Sequence, residues 1–248
     1  MSRYFLEVAY RGTNYSGFQV QQNANTIQAE IEKAFGILQR EKITLTGSSR
    51  TDAGVHALQN FFHFDFKGEL IPHFVYKINA ILPPDIVVQK FIPVSIDSHC
   101  RFDVLSREYK YFVYRQKNPF LKDKAFYFPY KLNMELIQQG AEIIKTHIDF
   151  TSFSKRKTQA KTFICKIMES RWEREKDCLV FYIKADRFLR GMVRGLVATM
   201  LNMGRGKITI HEFEKIIQER DCTKANFAAP SHGLFLIRVN YPEDYFQQ

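Results

Sequence analysis

Gly47-Ser48-Ser49-Arg50-Thr51-Asp52-Ala53-Gly54-Val55-His56-Ala57 lies between two segments that alternate apolar and polar residues. Upstream, Ile43 to Thr46 alternates; downstream, Gln59 to Phe66 places Phe62, Phe64 and Phe66 on one face and Phe61, His63 and Asp65 on the other. A period of two predicts strands on both sides, so the stretch between them is expected to be a loop anchored at each end by a sheet. Gly47 and Gly54 bracket a guanidinium, Arg50, and a carboxylate, Asp52, two positions apart. Loops held on a rigid scaffold are where catalytic groups concentrate. The competing reading is a plain polar connection in which Asp52 hydrogen-bonds its own backbone.

Working outward, Tyr4, Leu6, Val8 and Tyr10 alternate with Phe5, Glu7 and Ala9 and predict an opening strand that stops near Arg11-Gly12. Asn25, with Gln28 three positions on, has the form of a capping box for a helix whose apolar stripe is Ile27, Ile31, Ala34, Phe35 and Leu38. Leu70 to Leu82 is a second expected helix, stopped by Pro83-Pro84, and Asp85 to Val94 a further strand. The order strand, helix, strand, strand, helix, strand is that of a ferredoxin-like α+β unit.

The remaining residues repeat the theme. Arg107 to Arg115 reads as a strand with Tyr109, Tyr111 and Val113 on one face and Lys110, Phe112 and Tyr114 on the other. Asn133 can cap a helix with Leu136, Ile137, Ile144 and Ile148 on its apolar face. Thr162 to Glu173 and Cys178 to Ala185 form an expected strand pair around Arg174-Glu175-Lys176-Asp177. Phe188 to Asn202 reads as a long apolar helix, and Thr209 with Glu212 as a capping box for a last one; Gly233 to Tyr241 closes as a strand. The reading is two α+β halves, 1–103 and 104–248, with the repeat resting on element order alone.

Charge divides along the same line. Residues 1–103 carry ten basic and ten acidic side chains, so the whole net charge of +10 belongs to 104–248. A neutral half joined to a basic one suits a polyanionic partner, although a solvated basic surface would give the same count. Aromatics are 15% of the chain, with 23 Phe and 12 Tyr, which suits a broad, well-filled sheet. Cys100, Cys165, Cys178 and Cys222 lack metal-site spacing and fit a reducing cytoplasm. No apolar run approaches the roughly 18 residues needed to cross a bilayer, and the first residues lack a signal-peptide core, so a cytoplasmic protein with no membrane partner is expected.

The run Arg50-Thr51-Asp52-Ala53-Gly54-Val55-His56-Ala57 resembles the signature of the tRNA pseudouridine synthases of the TruA type. Tyr15-Ser16-Gly17-Phe18-Gln19, Arg101-Phe102 with Arg107-Glu108-Tyr109-Lys110-Tyr111, Asp149-Phe150-Thr151-Ser152-Phe153, Phe188-Leu189-Arg190-Gly191-Met192-Val193-Arg194 and Gly233-Leu234-Phe235-Leu236 also match segments of that family. One departure is Ser49, where the family usually has Gly before the Arg. The resemblance implies a pseudouridine synthase fold: two ferredoxin-like halves sharing an extended mixed sheet, with a central active-site cleft. It implies a homodimer that isomerises uridines at positions 38, 39 and 40 of the tRNA anticodon arm.

It also implies roles residue by residue. Asp52 would be the nucleophile and Arg50 would help hold the flipped-out nucleotide. Tyr109 would stack on the uracil, and the basic residue that pairs with the nucleophile falls on Arg194, with Arg190 the alternative if the helix phase differs by one residue. Phe153 and Leu234 would line the pocket. The basic cluster Lys155, Arg156, Lys157 and Lys161 follows Phe153 and is expected to touch phosphates.

Such chemistry breaks the glycosidic C–N bond, turns the uracil and rejoins it through C5. The nucleotide must first leave its stack, at a cost on the order of a few kcal/mol. A carboxylate enclosed by RNA and protein loses hydration, and a guanidinium beside it favours the ionised form. No metal, redox or other small-molecule cofactor is expected. A Ser/His/Asp triad from Ser48 or Ser49, His56 and Asp52 is rejected, because all lie on one short loop and no G-x-S-x-G elbow exists. The rivals are a pseudouridine synthase acting on another RNA, such as rRNA, and a noncatalytic tRNA-binding or chaperone protein.

Overall fold

The computed structural model describes residues 1–68, 70, 73–156, 158 and 160–246. Two compact units emerge: Met1–Leu105 with Leu236–Gln248, and Ser106–Phe235.

The first unit contains β1 (Ser2–Tyr10), α1 (Ile27–Gln39), β2 (Thr46–Gly47), β3 (His56–Phe66), α2 (His73–Ile81) and β4 (Ile86–Val94). β1 is central, antiparallel to both β3 and β4, and β2 pairs with β3, giving the ferredoxin-like order β4-β1-β3-β2. On the helix side Phe35 of α1 meets Phe64, Phe66 and Phe74 edge-on at 5.3, 5.6 and 5.1 Å. On the opposite side Phe5 and Phe61 are covered by Tyr241 and Phe246, with Phe61–Tyr241 centroids 5.3 Å apart. Both faces of β3 are therefore buried over residues 60–64, which is why Phe61 and Phe62 can follow one another there.

The same contacts place the C-terminal residues. The expected halves are contiguous in sequence, whereas residues 236–248 belong with the first unit. Besides the ring packing, Val239 N–H donates to Gln59 at 3.1 Å and Leu105 N–H to the Asn240 carbonyl at 2.8 Å.

Local departures from the sequence expectations have identifiable causes. The cap of α1 is Thr26, not Asn25: its Oγ1 accepts from Ala29 N–H at 3.3 Å. Gln28, expected to reach back to the cap, donates to the Leu45 carbonyl at 2.8 Å and accepts from Val20 N–H at 3.2 Å. Glu32 accepts from Leu45 N–H at 2.9 Å. With both backbone groups of Leu45 taken by α1 side chains, the strand expected over Ile43 to Thr46 shrinks to Thr46–Gly47. The helix expected over Leu70 to Leu82 is His73–Ile81, and residues 71 and 72 lie outside the described residues.

The second unit contains β5 (Ser106–Tyr114), β6 (Phe126–Tyr127), α3 (Met134–Ile143), β7 (Ile167–Glu175), β8 (Cys178–Ala185), α4 (Met192–Gly204) and α5 (Ile210–Gln218). β8 pairs antiparallel with both β5 and β7, and β6 runs parallel to β5. Within each unit, then, the first long strand pairs with the second member of a later antiparallel pair, β3 of β2–β3 and β8 of β7–β8. Asn133 caps α3 through Glu135 and Leu136 N–H, and Thr209 with Glu212 forms the capping box of α5. β9 (Leu234–Asn240) ends the chain's strands.

Three expectations shift here. Ile148, placed on the α3 apolar face, lies beyond the helix and is 59% exposed. The strand expected from Thr162 begins at Ile167 because the residues before it pair elsewhere. The Phe163 carbonyl accepts from Phe150 N–H at 3.0 Å, and Cys165 N–H donates to the Ile148 carbonyl at 2.8 Å. Most importantly, the helix expected from Phe188 starts at Met192, after Gly191 at φ 77°. That left-handed angle cannot continue a right-handed helix, so Phe188, Leu189 and Arg190 form a separate approach to it.

Among the described residues no helix is long and apolar enough to cross a membrane. None of the four cysteines, all among the described residues, forms a disulfide; Cys100, Cys165 and Cys178 are buried.

Candidate active site

The Asp52 loop is built from the strands beside it. Ser48 N–H donates to the Phe61 carbonyl at 2.8 Å as the loop leaves β2. Asn60, fully buried in β3, donates from Nδ2 to the Ser49 carbonyl at 2.8 Å and to the Tyr10 hydroxyl at 3.1 Å. The Tyr10 hydroxyl is 2.8 Å from Thr51 Oγ1, and Asn60 Oδ1 accepts from Phe61 N–H at 2.9 Å. One amide thus spends both donors and an acceptor on fixing the loop.

Tyr15-Ser16-Gly17-Phe18-Gln19 supports the other side. Phe18 N–H donates to the Thr51 carbonyl at 3.1 Å and Gly54 N–H to the Tyr15 carbonyl at 3.4 Å. The Phe18 ring stacks on Phe62 at 4.3 Å and 12°. Val55 N–H donates to the Asp52 carbonyl at 3.1 Å, closing a turn with Gly54 at φ 78°; a positive angle at the third position is the type II pattern. His56, 1% exposed, accepts from Gly12 N–H through Nδ1 at 3.2 Å, so it serves as a loop support.

The outcome is selective. Ser48, Ser49, Thr51 and Val55 are buried, Asp52 is half-buried at the start of the turn, and Arg50 is exposed. Beside Arg50 is a hollow of about 190 Å³, lined by Phe18, Gln19, Gly47, His99, Arg101 and Phe102 among others.

In the second unit Tyr109 lies on β5, 7% exposed, with Phe188 edge-on at 4.9 Å. Arg194 is half-buried in the first turn of α4 and donates from Nε to the Ala229 carbonyl at 2.7 Å. Tyr111 donates to the next carbonyl, Pro230, at 2.7 Å, and burial holds its hydroxyl far above the ordinary tyrosine range. A cation near a helix N-terminus opposes the macrodipole, typically by about 0.3–1 kcal/mol, so Arg194 is not there to stabilise α4.

Lys155 reaches the same place: its N–H donates to the Arg190 carbonyl at 2.9 Å and its side chain lies against Gly191. Arg156 and Lys161 are exposed, and Lys157 lies outside the described residues. Leu234 is 7% exposed at the start of β9. Phe153 is fully buried, its ring against Gly195 and 6.4 Å from Phe213, which is a core position within the helical layer.

Each unit thus carries its own part of the expected set. Asp52 and Arg50 share the loop of the first; Tyr109, Lys155, Arg190 and Arg194 lie in the second. Sequence reasoning missed Tyr10, Thr51 and Asn60 as the loop's supports. Asn60 did leave a trace: it is an amide directly ahead of Phe61 and Phe62 within the strand pattern of β3.

Comparison with known proteins gives the family. A family model described as tRNA pseudouridine synthase matches residues 7–103 and 146–242. A protein of Parabacteroides distasonis named tRNA pseudouridine synthase A is 44% identical over 99% of this chain and 98% of its own length. Proteins of the same name from Azobacteroides pseudotrichonymphae and Bacteroides thetaiotaomicron are 42% and 44% identical, each over 100% of this chain and 100% and 94% of their own lengths. The chain therefore belongs to the tRNA pseudouridine synthase family.

Proposed function

We propose that this chain isomerises uridine to pseudouridine in tRNA, with Asp52 as the nucleophile and uridines 38, 39 and 40 of the anticodon arm as targets. The observation that carries the reading is the treatment of Asp52. The Ser48 N–H, the Ser49 carbonyl and the Thr51 hydroxyl around it are hydrogen-bonded to β1 and β3, and the loop so held places this carboxylate, half-buried, at the start of a tight turn. A protein that only gripped phosphates would gain nothing from a carboxylate there, since it repels a polyanion.

The roles follow from residue chemistry. Arg50, exposed on the same loop, fills the space left when the nucleotide is extruded. Tyr109 stacks on the detached uracil and Leu234 walls it, which keeps the base from diffusing away. Asp52 assists departure of the base, by attack on the ribose or by removal of a ribose proton; both routes need the ionised carboxylate. Arg194 supplies positive charge to the reaction as a planar fork suited to a carboxylate. Lys155 and Arg156 contact phosphates. The protein acts in the cytoplasm as a homodimer.

The test is Asp52→Asn. The variant should bind tRNA as the parent does and form no pseudouridine; sustained turnover would refute the mechanism. Pseudouridine maps of cells with and without the protein identify the target, and loss at an rRNA site with positions 38 to 40 intact would reassign the substrate.

A further inference from the structure

Phe102 is 73% exposed, yet the turn that carries it is fastened firmly. His99 N–H donates to Asp103 Oδ2 at 2.7 Å, and Asp103 N–H returns to the His99 carbonyl at 3.1 Å. Behind the turn, buried Cys100 donates from Sγ to the Thr46 carbonyl at 3.1 Å, and its N–H reaches His63 Nδ1 at 3.3 Å. The rings form a ladder from the core outward: His63 to His99 at 4.5 Å, then His99 to Phe102 at 4.2 Å. Beyond its contacts with His99 and with the Arg101 guanidinium, 5.7 Å from its centroid, a ring so exposed buries little apolar surface for the fold.

What surrounds the ring suggests its use. The hollow of about 190 Å³ beside it is bounded by the His99 and Phe102 rings, Phe18 and the Gly47 backbone, with Arg50 and Arg101 at hand. That is below the roughly 300–1,000 Å³ of pockets that enclose drug-sized ligands, and leaves room for one planar ring system. Aromatic plates flanked by guanidinium groups are how proteins hold unpaired nucleotides. Phe120 is more exposed still, at 85%, but it sits on a short 3-10 turn outside this hollow, so exposure alone does not select Phe102.

We infer that this hollow is a second nucleotide site, in which an unpaired base of the RNA stacks on Phe102 and His99 while Arg101 and Arg50 hold its phosphates. The inference rests on the proposed function. Arg50 is shared between the hollow and the Asp52 loop, so the base held here is a neighbour of the target uridine, not the target. Phe102 is then a positioning residue, whose contribution is to fix the register of the RNA.

The experiment uses the full-length protein with Phe102→Ala, Phe102→Tyr and, as a control on the other exposed ring, Phe120→Ala. KM and kcat for tRNA are measured, together with the Kd of an anticodon-arm stem-loop RNA. Losing one stacked base should raise KM and Kd about 5- to 150-fold for Phe102→Ala, with the change concentrated in KM. Phe102→Tyr should restore both, and Phe120→Ala should match the parent. Values for Phe102→Ala within twofold of the parent would overturn the inference, as would an equal loss from Phe120→Ala. A parent protein that forms no pseudouridine would sink the proposed function instead, and the stem-loop Kd would still decide the stacking site.

Discussion

The Asp52 loop and the start of α4 present their charged residues in opposite ways. Asp52 sits on irregular backbone, fixed by side chains of β1 and β3: Tyr10, Asn60 and His56. Arg194 sits on regular helix, fixed by the burial of its neighbours Met192, Val193, Gly195 and Leu196, and donates to the Ala229 carbonyl. A loop can aim a carboxylate only if its own polar groups are satisfied from outside. A helix satisfies its own backbone and can spare a long side chain for the site. The loop should therefore be sensitive to changes in residues that never touch substrate, and the helix start should tolerate them.

The contrast can be broken at its two charged ends first. Asp52→Asn should lower turnover by at least about 10⁴-fold, as removal of a nucleophile does, with the melting temperature unchanged. Single-turnover pseudouridine formation reads the first effect and a thermal melt the second. Arg194→Ala should cost about 10²–10³-fold in kcat, the scale for losing one preorganised electrostatic contact. Arg194→Lys should recover part of that, and a full recovery would show that charge without the planar fork is enough.

The supports sharpen the comparison. His63 is 7% exposed, and burial lowers its imidazole to about 4 from the ordinary 6.5. Above pH 6.5 both folded and unfolded states hold it neutral, so it has no effect. As pH falls from 6.5 towards 4 only the unfolded chain takes up the proton, and stability drops by up to about 3 kcal/mol. Denaturant melts between pH 4 and 7 should show this slope, and His63→Gln should flatten it. Asn60→Ala should destabilise the protein by about 1–3 kcal/mol, because the Ser49 carbonyl and Tyr10 hydroxyl lose a buried partner. It should also reduce kcat although it lies off the reacting atoms. A variant that melts early but turns over normally would show that the loop does not depend on its scaffold.

How far the sequence was readable follows from the same distinction. The loop stood out as a contiguous run, and the capping residues Asn133 and Thr209 sit where local chemistry puts them, because each acts within its own turn. What failed was set by partners distant in the chain. β2 was overestimated because Gln28 and Glu32 take the backbone of Leu45, and the α1 cap moved by one residue because Gln28 was needed there. The start of α4 failed differently: Phe188 to Val193 is apolar enough to pass for helix, and only the backbone angle at Gly191 ends the pattern. Phe153, which the resemblance puts on the pocket wall, packs against Gly195 with Phe213 6.4 Å away, tertiary contacts that leave no mark in the local sequence.

The aromatic rings that seal the outer side of β3, Tyr241 and Phe246, are synthesised only after the whole of Ser106–Phe235 has been made. Until they emerge, Phe5 and Phe61 lack this cover, so the unit that bears Asp52, although begun first, closes only after the second unit has been made. A nascent chain stalled before residue 241 would display a greasy strand face to chaperones, and a premature stop there would disable the Asp52 unit while leaving residues 106–235 intact.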